Sequence, residues 1–262
     1  MEDPSRHLEA MRSAAPLVQC LTNFVAMNVA ANVLLAAGAS PAMVHARGEA
    51  AEFARVASAV TVNIGTLDDE WADCMALAAE AARDAGTPWV LDPVAIGATG
   101  LRRRAGARLM ALRPAIVRGN ASEVLALCGA DTAGRGADAA DTVAAAETAA
   151  RALAARSGAV VAVTGPVDFV TNGNRAVRIE GGHVLMPKVT ALGCALTGLT
   201  GAFAAVAPPF EAAVAALGTY AAAGAIAGDM AAGPGTFQVA FLDALHALRP
   251  ADLEARARIA PA

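Results

Sequence analysis

PLVQCLTNFVAMNVAANVLLAAGASPAM, residues 16–43, sets the pattern from which the rest of the chain is read. Pro16 to Leu21 is a short, largely apolar run, long enough for a strand and too short for a helix. Thr22-Asn23 then offers capping oxygens, an Ala-rich apolar segment continues to about Ala37, and Gly38 supplies a stop, so that strand gives way to helix. Ala39 to Val44 reads as the next strand, and one β-to-α unit is complete.

The alternation continues outward from there. Helices are expected over Gly48 to Ala57, Asp68 to Ala85, Leu101 to Leu112, Ala121 to Leu127 and Ala139 to Arg156, with strands over Ala59 to Ile64, Pro88 to Leu91 and Ala115 to Val117. Val90-Leu91 and Ala159 to Val163 lack the polar/apolar alternation of a one-sided sheet, as expected of parallel strands covered on both faces by helices. Beyond Ala159 the runs become close-spaced: Val160 to Val163, Phe169 to Thr171, Ala176 to Ile179 and His183 to Leu185. Gly173 and Gly181-Gly182 fall between them, which predicts antiparallel hairpins at an edge of the sheet. Three Ala-rich helices follow from Ala195 to near His246, and a polar tail closes the sequence. No linker or internal repeat interrupts the pattern, so residues 1–262 read as a single α/β domain.

Composition narrows the function. Aromatic residues make up only 4% of the chain against 56% hydrophobic residues, so the core is built from Ala, Val and Leu. A formal charge of −4 without any Lys/Arg block gives nucleic acid or an anionic membrane no landing site. Cys20, Cys74, Cys128 and Cys194 are dispersed, without a CxxC or Cys/His pair, which argues against a disulfide framework or a zinc site and fits a reducing cytoplasm. His7, His45, His183 and His246 are as scattered and read as surface or packing residues. Met1 to Arg12 has no apolar run of the signal-peptide kind. The uncharged stretches Ser13–Val44, Val189–Phe210 and Ala212–Gly228 are rich in Ala and Gly, and the first two are broken by Pro and polar residues. All three read as buried helices rather than membrane spans.

Polar residues gather where the expected strands end, the place at which open α/β sheets bind ligands. They form five clusters: Thr22-Asn23; Asn63-Ile64-Gly65-Thr66; Asp92-Pro93-Val94; Arg118-Gly119-Asn120-Ala121-Ser122-Glu123; and Thr164-Gly165 together with the Gly193-Cys194 turn. Asp92 either projects a carboxylate into the crevice, for magnesium or phosphate, or merely forms an Asp-Pro turn. Glu123 is either a site acid or a partner of the helix dipole, and Asn120 an N-cap. Mg²⁺ keeps most of its waters and needs only one or two carboxylates beside phosphates, a role that Asp92 and Glu123 can fill. Arg118 can pair with phosphate or stand solvated at a strand end. The helix start at Thr190-Ala191-Leu192-Gly193-Cys194 aims free N–H groups at any anion placed there, with Cys194 either beside the reacting atoms or a small apolar filler.

The run Asn120-x-x-Glu123 and the late Gly-turn-helix bearing Cys194 resemble the ribokinase-like superfamily, and in detail the hydroxyethylthiazole kinase family. The similarity is carried by residues 16–43, VNIGTL (62–67), PWVLDPVAIGATG (88–100), RGNASE (118–123), GRGAD (134–138), VVAVTGPVDFVTNG (160–173) and the helix start at Gly193-Cys194. The resemblance implies a three-layer fold with a mostly parallel central sheet, helices on both faces and an antiparallel edge. It implies phosphorylation of the hydroxyl of 4-methyl-5-(2-hydroxyethyl)thiazole by ATP with Mg²⁺, a salvage step toward thiamine. A homotrimer is implied as well, with substrate near subunit contacts, lined by the stretches around Asn23, Met43 and Gly65 and by the turn at Ala191. Arg118 and Thr164 match positions that touch ATP, with Gly165 and Gly193 in the same turns, and Asp92 and Glu123 match acids of the magnesium and phosphate region. Cys194 stands where related enzymes place an aspartate base. Loose phosphoryl transfer relies on alignment and charge neutralisation, so a weak base suffices there. The helix N-terminus raises the thiolate fraction of such a cysteine, and nearby ATP charge reduces it.

One departure stands out. The family reads Gly-Thr-Gly-Cys at this turn, whereas this chain has Ala191-Leu192-Gly193-Cys194. An Ala in place of Gly predicts a backbone that avoids positive φ, and the lost threonine removes a hydrogen-bond donor. Two other readings compete on these residues: another small-alcohol kinase of the superfamily, acting on a pyrimidine, pyridoxal-like or sugar substrate, and a nucleotide- or thiazole-binding homologue with weakened turnover. If Cys194 works at the reacting centre, Cys194→Ala lowers turnover with little change in folding. A variant equally active but less stable in thermal unfolding returns the residue to packing.

Overall fold

The computed structural model describes residues 4–129 and 139–262; the GRGAD run lies outside them. In chain order the elements are α1 (Pro4–Ala14), β1 (Leu17–Leu21), α2 (Met27–Ala37), β2 (Ser40–Ala42), α3 (Ala50–Val56), β3 (Ala59–Asn63), α4 (Asp69–Ala85) and β4 (Trp89–Asp92). Then come α5 (Gly100–Ala111), β5 (Ile116–Asn120), α6 (Ala121–Leu127), α7 (Ala139–Ser157), β6 (Val160–Thr164), β7 (Val167–Thr171) and β8 (Ala176–Glu180). The last are α8 (Leu192–Ala204), α9 (Pro209–Met230), α10 (Pro234–Ala247), α11 (Pro250–Arg256) and β9 (Arg258–Pro261).

One sheet runs in the order β2-β1-β3-β4-β5-β6-β7-β8-β9. Its first six strands pair in parallel and the last three antiparallel, as the change of texture beyond Ala159 anticipates. Successive residues of the parallel strands enter opposite cores. Val90 and Ile116 face α2, α8 and α9, while Leu91 and Val117 face α4 and its neighbours, which is why these strands carry no polar/apolar alternation. The chain runs from β1 outward to β2 and then returns to β3 on the other side of β1. This reversal opens a crevice at the carboxyl ends of β1 and β3.

Helix α8 presses closest to that crevice. A Cβ on Gly201 would stand 2.5 Å from Thr61 Cγ2 and 3.3 Å from Val18 Cγ1, and one on Gly198 would stand 3.2 Å from Leu34 Cδ1. Small residues thus let α8 lie against β1, β3 and α2, carrying its N-terminus to the mouth of the sheet. Helix α9 is long and apolar enough to cross a membrane by length and composition, but 83% of its most apolar window is buried in the fold.

Four expectations are corrected. His183 to Leu185 is not a strand: Gly181 and Gly182 adopt φ of 148° and 78°, and the chain turns into a 3₁₀ turn, Met186–Lys188, over α9. There Gly224 and Gly228 make room for Met186 and His183, so the apolar residues answer to a covering helix instead of a paired strand. The tail beyond His246, read only as polar with no element expected in it, forms two: α11 packs on α9 and β9 pairs with β8. The second helix starts at Met27 and not at Thr22-Asn23, because the Asn23 side chain accepts the Ala26 N–H at 3.0 Å and turns the chain before the helix begins. Finally, Ala191 has φ +65°, the left-handed conformation that its Cβ disfavours by about 1–2 kcal/mol.

Gly201→Ala should lower the midpoint of thermal or urea unfolding. The added methyl meets a buried side chain fixed on a central strand, and overpacking of about 1–3 kcal/mol outweighs the roughly 1 kcal/mol of helix propensity gained. An unchanged midpoint would mean that α8 does not lie this close to β3.

Candidate active site

Register brings the clustered residues level with one another. Asn63 is the pairing partner of Asp92 across β3 and β4, and Asn120 that of Thr164 across β5 and β6. From there a continuous path of hydrogen bonds crosses the sheet mouth. Asn23 Nδ2 donates to Cys194 Sγ at 3.3 Å and to Asn63 Oδ1 at 2.8 Å. Asn63 Nδ2 donates to Asp92 Oδ2 at 2.6 Å, and the same oxygen accepts from Thr197 Oγ1 at 2.7 Å and from Arg118 Nη1 at 3.4 Å. Arg118 Nη2 then donates to Thr164 Oγ1 at 2.8 Å. Segments far apart in sequence thus meet around one acid.

Asp92 has no solvent exposure. Burial pushes its carboxyl up to about 6, against the opposing pull of Arg118. Its Oδ1, like Arg118 Nε and Thr22 Oγ1, is buried without a partner among the described residues. Burial, then the charge of Asp92, push the Cys194 thiol up, and the Asn23 hydrogen bond and Arg118 only partly oppose them. The thiol is thus shifted away from the thiolate that a helix terminus favours.

Glu123 sits in the first turn of α6, as its helix-dipole reading expects. Its Oε2 accepts the Asn120 N–H at 2.8 Å while Asn120 Oδ1 accepts the Glu123 N–H at 3.0 Å, a reciprocal cap of α6. Its Oε1 accepts the Ala95 N–H at 3.0 Å, tying α6 to the loop that follows Asp92-Pro93. The glycines mark close approaches. A Cβ on Gly65 would stand 2.5 Å from Asn23 Cβ, one on Gly193 3.3 Å from Arg118 Nη2, and one on Gly119 3.2 Å from Glu123 Oε2. Gly165 is exposed in the turn after β6, its N–H held by Asp168 Oδ1 at 2.9 Å. Met43 packs its side chain against the core under α2 and takes no part in the bonded path.

Several residues that sequence reasoning did not single out are built into the same mouth. Thr197 lies one turn after Cys194 on α8, a spacing that puts both on one helix face. Arg102 on α5 donates to the carbonyls of Ile64, Gly65 and Val94, clamping the loops after β3 and β4 together. Asp168 is raised to about 6, chiefly by burial. Phe24, His45 and Trp71 form an aromatic group beside Asn23, with ring centroids 4.5 Å apart for Phe24–Trp71 and 4.8 Å for His45–Trp71.

The mostly parallel nine-stranded sheet with its antiparallel edge and surrounding helices is a ribokinase-like fold. The pyridoxal kinase from Staphylococcus aureus, solved in complex with AMP-PCP and pyridoxal, shares this fold with a TM-score of 0.65 over 94% of this chain and 98% of that one, at 14% identity. The chain belongs to the hydroxyethylthiazole kinase family, whose match covers residues 8–251. It is 64% identical to the hydroxyethylthiazole kinase of Cereibacter sphaeroides (strain ATCC 17029 / ATH 2.4.9) over 259 residues, 99% of both chains. It is 64% identical to that of Rhizobium johnstonii over 261 residues, 99% of this chain and 98% of the other. The hydroxyethylthiazole kinase structure from Pyrococcus horikoshii OT3 superposes with a TM-score of 0.93 over the whole of both chains, at 38% identity.

With Asp92 and Asp168 both raised to about 6 from 3.8, the folded state holds more protons than the unfolded chain between those values. Their contribution to stability is therefore present at low pH and lost as pH rises through about 6. Asp252, held down to about 2 by Arg249, acts in the opposite sense and only below 3.8. Relative to Asp92→Asn, the wild type should gain unfolding free energy in urea titrations as pH falls from 7 to 5. A difference that does not move with pH would show that Asp92 titrates as it does in water.

Proposed function

We propose that this chain transfers the γ-phosphoryl group of ATP to the hydroxyl of 4-methyl-5-(2-hydroxyethyl)thiazole, a salvage step toward thiamine. The observation that carries the reading is the bonded path from Cys194 through Asn23, Asn63, Asp92 and Arg118 to Thr164. It sets an alcohol side and a phosphate side of one mouth in fixed relation. The 64% identity to hydroxyethylthiazole kinases over nearly the full chain supports the choice of acceptor.

On the alcohol side we place Asn23, Met43, Gly65 and the turn at Ala191. On the phosphate side Arg118, Thr164, Gly165 and Gly193 meet the nucleotide, the N-terminus of α8 directing its free N–H groups at the group in flight. The alcohol oxygen forms a bond to the γ-phosphorus as the bond to the β–γ bridging oxygen breaks. The transition state is loose, so the hydroxyl proton need not leave early. Cys194, its thiol shifted up by burial, then acts by placing that hydroxyl, whose proton passes late to a phosphoryl oxygen of the product. The left-handed conformation of Ala191 is strain held at this turn, in keeping with a backbone fixed for function.

The residues fit a magnesium ion. Among the described residues Asp92 Oδ1 is buried without a partner, and no group of three or more His, Cys, Asp or Glu forms a protein cage. That suits an ion which keeps its waters and leans on phosphates. Asp92 and Glu123 would hold it, and when bound it would neutralise charge on the phosphate oxygens.

We further take residues 1–262 as one kinase domain, in keeping with the extent of the family match. We take the cytoplasm as its compartment, in keeping with four free cysteines, and a homotrimer as its assembly. Exposed Phe24, Val25, Leu35 and Val239 support the last, since they leave apolar surface on and around α2 and α10 beside the alcohol side.

A coupled assay of ADP release with a panel of thiazole, pyrimidine and sugar alcohols tests the reading. Turnover should be fast with the thiazole alcohol and near background with the others. Turnover on another alcohol alone would reassign the acceptor, and calorimetric binding of the thiazole without ADP release would make the chain a binding protein.

A further inference from the structure

Asn63 closes β3, a strand whose every residue is buried, and its side chain is 2% exposed. Asn is disfavoured both in strands and in cores, so its presence there needs a polar reason. Its amide is committed at both ends. Oδ1 accepts from Asn23 Nδ2 at 2.8 Å and from the Gly65 N–H at 3.0 Å, while Nδ2 donates to Asp92 Oδ2 at 2.6 Å. The orientation is not interchangeable, because a flipped amide would set its oxygen against the Asp92 carboxylate and its NH₂ against two donors. One planar group therefore fixes the spacing between the acid at the phosphate side and the Asn23–Cys194 pair at the alcohol side.

We propose that Asn63 is a positioning residue for phosphoryl transfer, holding Asp92 on one side and Asn23 with Cys194 on the other at the separation the reaction requires. This rests on the kinase reading above and adds to it a residue that acts through Asp92 and Asn23.

Two variants separate the arms. Asn63→Asp keeps the acceptor toward Asn23 and Gly65 but loses the donor to Asp92, whereas Asn63→Leu keeps the volume and loses all three bonds. Each is compared with wild type by circular dichroism and melting, by kcat and both KM values in the ADP assay, and by site-resolved alkylation of Cys194 with iodoacetamide at one fixed pH. Misplacement of reacting groups by about 1 Å can cost on the order of a hundredfold in rate. Asn63→Asp should therefore lower kcat by about ten- to a hundredfold with KM for the alcohol little changed. Asn63→Leu should lower kcat similarly, raise KM for the alcohol by about tenfold and alter the Cys194 alkylation rate, while KM for ATP moves by less than about threefold in both.

A purely structural Asn63 would lower the melting temperature and leave kcat, the KM values and Cys194 alkylation of the folded fraction within about threefold of wild type. That result overturns the inference. Should neither variant fold, the wild type decides: the side-chain amide NMR signals of Asn23 and Asn63 should both move when Cys194 is alkylated, and an unmoved Asn63 signal counts against the coupling. A wild type inactive on the thiazole alcohol in which the Asn63 signal still moves fails the kinase reading and leaves the linkage standing.

Discussion

A carboxylate with no exposure to solvent is costly to keep unless donors converge on it, and Asp92 draws donors from three directions: Asn63 on the neighbouring strand, Arg118 one strand further on, and Thr197 on the helix above. Each of those residues has a second obligation. Asn63 holds Asn23 and the Gly65 backbone, Arg118 holds Thr164, and Thr197 rides on the helix that carries Cys194. The mouth of the sheet is thus over-determined around one oxygen atom, while the second oxygen is buried without a partner among the described residues.

The packing of α8 is the counterpart of that constraint. A helix with larger residues at 198 and 201 would be held off α2 by Leu34 and off β3 by Thr61, and its first turn would sit away from Asp92. Glycine, poor for an isolated helix, is here the condition for bringing a threonine hydroxyl within 2.7 Å of a buried carboxylate. Local propensity yields to a tertiary requirement, as is common where a fold serves chemistry.

The parallel strands and their two-sided burial were legible in the sequence because apolar runs such as Ala159 to Val163 carry the signal themselves. So was the gathering of Asn23, Gly65, Asp92, Arg118, Thr164 and Cys194 at one mouth, since each follows a strand or opens a helix. Strand order and register were not legible: they are set by contacts between distant segments, and it is register that makes Asn63 the partner of Asp92. Arg102 and Asp168 look in sequence like ordinary charged residues of a helix and a hairpin, and only tertiary structure turns them toward carbonyls or a turn N–H. The αL geometry of Ala191 ran against the rule of residue preference, because the neighbouring helix start dictates the backbone there and the side chain pays the difference. His183 to Leu185 misled because covering a helix and pairing in a sheet select the same apolar residues.

Strand β9 has a bearing on what the antiparallel side of the sheet offers to other molecules. It pairs along the outer edge of β8 and so occupies that strand's ladder groups. Were residues 258–261 detached, β8 would stand as an open edge of the sheet. An extended segment of another molecule could then take the place that those four residues fill.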